Sequence, residues 1–202
     1  MSAHYLSKRD MLSNKRRESV LSSAGVCFAE FGYKGTTTAL IAERAGVSKG
    51  LVFHFFDNKK ALFNSVVDDA LEQWTMLSDY RYSEAKGDAL EEIRNLFIAS
   101  FDFAEQYPVM ALFSRREEAI VDYQKEFAKR VKRWRNRVKK SLVRGIEHGV
   151  VQKDLDATRT ADIIHELQQA LLRSVPSKNG VSRYDRDTVS LAITILLKGI
   201  AN

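Results

Sequence analysis

An all-α protein of about nine helices, with a small N-terminal head on a larger helical body, is what this sequence predicts. Apolar residues recur at three- and four-residue spacing through most of the chain, as one buried helix face requires. Breakers are scarce, with two prolines and ten glycines in 202 residues. Such a supply favours long helices over many short strands.

The first helix is expected over residues 14–31, where Val20, Leu21, Ala24, Cys27, Phe28 and Phe31 share a face. Gly32 follows as its stop, since glycine suits the position just past a helix end. Thr37 then caps a short helix, "TALIAERA", because a threonine hydroxyl accepts an otherwise unpaired N–H. Gly46-Val47-Ser48 forms a tight turn, with Gly46 free to take a positive φ and Ser48 capping the helix from Lys49 to about Phe56. "LVFHFF" has strand-like composition, yet helical spacing puts Leu51 with Phe55 and Val52 with Phe56. Phe53 and His54 are left pointing elsewhere. Two short helices about a three-residue turn form a helix-turn-helix, here over about 38–56.

Asp57-Asn58 breaks the chain and "KKALFNSVVDDALEQWTML" begins a longer helix. Leu90, Ile93, Phe97, Phe101 and Ala104 stripe the next, which Tyr107-Pro108 interrupts before "VMALFSRREEA". A long helix over 123–148 carries Phe127, Val131, Trp134, Val138 and Leu142 as its apolar seam and ends at Gly149. Helices over about 158–174 and 185–200 close the chain around the polar loop "PSKNGVSRY". The last carries Val189, Ala192, Ile193, Leu196 and Ile200 on one side and Leu191 and Ile195 on another. A helix apolar nearly all round is buried nearly all round, and a second subunit accounts for the outer face. The division expected is residues 1–62 as head and 63–202 as body.

Net charge is +6, and the head holds most of it: residues 1–65 carry ten Lys or Arg against five Asp or Glu. That placement points to an anionic partner, nucleic acid first and a membrane surface second. The basic arm Lys8, Arg9, Lys15, Arg16 and Arg17 reads as an extra DNA contact or a solvated tail. The 123–148 helix is basic on its outer face, which reads as a solvated face, a second nucleic-acid surface or an attraction for an anionic ligand. A sequence-independent nucleic-acid or membrane-surface binder working through that helix is the alternative to a sequence-specific one. No apolar run is long enough to span a bilayer and the N-terminus lacks a secretory core, so a cytoplasmic protein is expected. The single Cys27 reads as a small buried hydrophobe. The four histidines have no metal spacing, and neither a glycine-rich phosphate loop nor a nucleophile elbow occurs. No catalytic residue, metal or cofactor is expected.

The stretch "FAEFGYKGTTTALIAERAGVSKGLVFHFFDNKKALF" resembles the DNA-binding region of the TetR family of bacterial transcription regulators. The match rests on Gly32-Tyr33, the run Thr36-Thr37-Thr38, Ile41-Ala42, Ala45 to Gly50, the cluster Phe53 to Phe56, Lys59 and Leu62. The resemblance implies a regulator, most often a repressor, released from a palindromic operator when a small effector binds the helical body. In a helix-turn-helix the second helix enters the major groove with its N-terminal residues nearest the bases. Here these are Ser48, Lys49, Gly50 and Leu51. Lys49 can donate to guanine or phosphate, Gly50 permits close approach, and Leu51 can meet a thymine methyl. His54 reads as a base or phosphate contact or a solvated side chain. Thr36, Thr37, Thr38 and Lys59 belong with the phosphate contacts, Lys59 by its match to the family's lysine. Phe53 stands where the family usually carries a tyrosine whose hydroxyl binds phosphate.

The resemblance also implies a homodimer through the last two helices, reading successive grooves roughly 34–36 Å apart. The effector would sit among Trp74, Phe97, Phe101, Met110, Phe113, Trp134, His165 and Gln168, each of which also reads as plain core. His165 and Gln168 are polar on a mostly apolar helix and need partners. The abundance of aromatics suggests a lipophilic or fatty-acyl-like effector.

Overall fold

The structure is a computed structural model that describes residues 8–115, 118–173, 177–178, 181–182 and 185–202. The elements run α1 (Lys8–Gly35), α2 (Thr38–Ala45), α3 (Lys49–Phe55), α4 (Lys59–Glu84), α5 (Ala89–Gln106), a 3-10 turn (Pro108–Met110), α6 (Ala111–Arg115), a second 3-10 turn (Glu118–Tyr123), α7 (Gln124–Glu147), α8 (Ala157–Arg173) and α9 (Arg186–Ile200). Within the polar loop, β1 (Ser177–Lys178) and β2 (Val181–Ser182) pair antiparallel. The rest of that loop lies outside the described residues. The fold is all-α.

Short polar side chains start the helices by accepting orphan N–H groups. Thr37 accepts from Leu40, Ser48 from Leu51 and Asn58 from Ala61. Asp88 and Asp156 each accept from two backbone N–H groups at the starts of α5 and α8. Gly46 ends α2 at φ 66°, a left-handed conformation that a side chain would strain.

Two expectations change for α1. It begins at Lys8, so Lys15, Arg16 and Arg17 lie on a helix rather than on a loose arm. The side chains of Lys8 and Arg9 lie outside the described residues. Gly32 (φ 68°, ψ 174°) kinks the helix, which then resumes for one more turn instead of stopping.

Among the described residues, buried apolar side chains form two clusters. The first joins Val20, Ala24, Cys27 and Phe28 of α1 to Ile41, Val52 and Phe56 of the head, to Leu62 to Leu71 of α4, and to Phe103, Val109, Leu112 and Ile120 of the body. The second holds Ile93, Leu96 and Phe97 of α5, Trp134, Val138 and Leu142 of α7, Ile164 of α8 and Ile193 of α9. The proposed boundary after residue 62 therefore falls inside α4, and one cluster runs continuously beneath head and body. Cys27 is fully buried, and that burial pushes its thiol pKa up. Among the described residues no helix is long and apolar enough to cross a membrane.

Candidate nucleic-acid interface

The α3 helix is two-sided. Val52 and Phe56 are buried beneath it, and Leu51 and Phe55 are half-buried along its edge. Ser48, Lys49, Gly50, Phe53 and His54 are exposed. Its N-terminal turn carries no acidic residue. The Lys49 ammonium lies 5.8 Å from the centre of the Phe53 ring, so the two side chains present one cationic and aromatic surface. A Cβ built on Gly50 would meet nothing closer than the Ser48 hydroxyl at 3.9 Å. The fold itself does not need that position bare.

Beside α3, the N-terminus of α2 faces solvent through exposed Thr37 and half-buried Thr38. Both lie where free N–H groups and the helix dipole favour an anion.

Thr36 does not belong to this surface. It is 0% exposed, and its hydroxyl lies 2.9 Å from the Cys27 carbonyl and 2.8 Å from the Gly32 carbonyl. It clips the α1 kink shut. Lys59 acts on the same turn: its ammonium donates to the carbonyls of Tyr33 (2.9 Å) and Thr36 (3.0 Å) and sits 4.5 Å from the Tyr33 ring centre. Two of its three donors hold the α1–α2 connection, leaving one for a phosphate. Tyr33 was read only as part of the glycine-aromatic pair. Its place in this latch depends on the Gly32 kink, which helical periodicity does not reveal. Arg17 packs 5.1 Å from the Phe56 ring and ties the start of α1 to the end of α3.

The outer face of α7 is less basic than its sequence suggests. Arg133 and Arg137 pair with Asp79, Arg135 with Asp162, Arg144 with buried Glu92, and Lys129 and Arg130 with Glu126. Arg130 also donates to the Leu71 carbonyl and the Thr75 hydroxyl. Much of this charge is answered by carboxylates on neighbouring helices, as a structural face requires.

The expected effector residues fall into two groups: Phe97, Phe101, Trp134, His165 and Gln168 come together, and Trp74, Met110 and Phe113 lie apart from them. Met110 and Phe113 pack in the first cluster, where Phe113 stacks on Phe127 at 4.4 Å. Trp74 joins the same side through Phe103 and Phe127. Phe97, Phe101 and Trp134 belong to the second cluster. Trp134 is 3% exposed and its indole N–H donates to the Leu96 carbonyl at 3.2 Å. Gln168 is buried and its amide donates to the Phe97 carbonyl at 3.4 Å. The reason is packing: large aromatic side chains gain most by filling a core. His165 lines a cavity between α7 and α8.

A solvent-facing recognition helix in a compact three-helix head, on a larger helical body, defines a helix-turn-helix DNA-binding transcription regulator. Residues 20–66 match the family described as bacterial regulatory proteins, tetR family. The transcriptional repressor KstR2 of Mycobacterium tuberculosis (strain H37Rv) is 30% identical over 146 residues, covering 71% of this chain and 72% of KstR2. The solved structure of that organism's ketosteroid regulator KstR2 superposes with a TM-score of 0.74 at 25% identity, covering 94% of this chain and 96% of that one. AibR, solved in complex with isovaleryl coenzyme A and operator DNA, shares the fold with a TM-score of 0.66 at 15% identity, covering 90% and 98%. The chain belongs to the TetR family of bacterial transcription regulators. It is a regulator and not an enzyme.

Proposed function

We propose that this regulator binds a palindromic operator as a homodimer and leaves it when a small molecule occupies the helical body. The observation that carries the DNA reading is the sidedness of α3: Val52 and Phe56 are anchored in the core while Lys49, Gly50, Phe53 and His54 face outward. Lys49, with Ser48, Gly50 and Leu51, reads base edges. Thr37, Thr38, His54 and the remaining Lys59 donor position the backbone. The homodimer reading is supported by Ile163 and Leu167 of α8 and by Leu191 and Ile195 of α9, all exposed apolar side chains on the two closing helices. Repression is favoured over activation because the relative KstR2 is named a repressor. AibR, a protein of the same fold, has been solved with both a small ligand and operator DNA, which supports a ligand-responsive body.

Selection of bound duplexes from a random-sequence pool tests this reading. The expected product is an inverted repeat with half-sites about one helical turn apart. A pool that stays random after selection at moderate salt would instead favour sequence-independent binding, whose mark is steep salt dependence alone.

A further inference from the structure

The groove between α7 and α8 forms a half-open cavity of about 570 Å³, within the size range of small-molecule sites. Its chemistry is divided. Phe127, Val131 and Ala161 supply an apolar floor. Lys132, Arg135 and Lys139 line the same cavity, one helical turn apart along α7. Asp162 of α8 pairs with Arg135 across the groove. Lys132 and Lys139 are exposed and make no ion pair among the described residues, although Lys139 acts at longer range on Asp156. Asp156 is already held by the Thr158 and Arg159 N–H groups. The cavity therefore carries more positive than negative charge.

His165 of α8 lines the same groove. Its Nε2 is buried without a hydrogen-bond partner among the described residues, while its Nδ1 lies 3.6 Å from Glu166. Burial lowers its pKa below the ordinary 6.5, opposed by Glu166 and Asp162 and aided by Arg135. A buried polar nitrogen left unpaired is costly, and the imidazole lies 5.8 Å from the ring of buried Trp134.

We infer that the α7–α8 groove binds an amphipathic anion, with its apolar body on Phe127, Val131 and Ala161 and its carboxylate or phosphate head between Lys132 and Lys139. This deepens the effector reading above and rests on it. The half-buried Phe127 and Val131 and the buried Ala161 beside these cations suit a small apolar body lodged between the two helices.

Calorimetric titration of the full chain with octanoate, octyl phosphate and 1-octanol, each below its aggregation threshold, tests the site. At least one of the two anions is expected to bind, and the neutral alcohol to bind at least tenfold more weakly. Whichever anion binds more tightly identifies the head group. The double variant Lys132→Gln/Lys139→Gln is expected to weaken the anions roughly tenfold, as loss of charge-assisted hydrogen bonds does, and to leave octanol unchanged. Ala128→Trp, at an exposed position on the groove, is expected to abolish binding. Equal binding of octanol overturns the inference. So does the failure of both anions to bind, or anion binding indifferent to both variants. Operator release, followed in the same samples, is scored separately. An anion that binds in the groove while operator stays bound removes the effector reading and leaves the site. Release by an anion that ignores the groove variants does the reverse.

Discussion

At Phe53 a single oxygen separates two strengths of backbone anchoring. The ring is 44% exposed and shares its surface with Lys49. A hydroxyl there would face outward, beside the proposed backbone contacts. Phe53→Tyr is expected to tighten operator binding about fivefold, the order of one added hydrogen bond, without changing thermal stability. Unchanged affinity in a fluorescence-anisotropy titration would mean that no phosphate lies within reach. Residue identity exposed this position in the sequence, because α3 obeys helical spacing throughout. It misplaced Thr36 for the opposite reason. The Gly32 kink turns that hydroxyl inward onto the Cys27 and Gly32 carbonyls, and no pattern of apolar residues encodes such a turn.

At the scale of elements, caps and breakers carried the reading. Thr37, Ser48, Asn58 and Gly46 mark helix ends where their chemistry says they must. Close helix contact is harder to foresee. Gly145 of α7 is such a place: a Cβ there would lie 2.5 Å from Val151 Cγ2 and 3.2 Å from the Ala89 Cβ at the start of α5. Gly145→Ala is expected to destabilise the fold by about 1–3 kcal/mol through overpacking. Urea unfolding measures this directly, and an unshifted midpoint would mean that Val151 swings aside freely. The expected effector residues divide between the two clusters at this same scale. Abundant aromatics on α5, α6 and α7 are what either a cavity or a core looks like in sequence. The structure packs most of them into two buried clusters. The α7–α8 groove depends on which lysines lack carboxylates on a neighbouring helix, a relation set by tertiary packing.

For the molecule as a whole, the account requires two copies. Ile195 is 62% exposed on α9, so replacing it adds no strain to the isolated chain. Ile195→Asp is expected to yield a monomer by light scattering, with unchanged helicity and at least a hundredfold weaker operator binding, because a dimer links two half-site contacts. A variant that stays dimeric would place the interface elsewhere. Head and body share one buried cluster through α4, so a change in the body has a packed route to the head. The central claim is that the exposed face of α3 reads DNA, and the affinity of Lys49→Ala for the selected operator tests it most directly. The account predicts a loss of about 1–3 kcal/mol on that operator, with little change on scrambled duplex. Equal affinity of wild type and variant for the operator would contradict it.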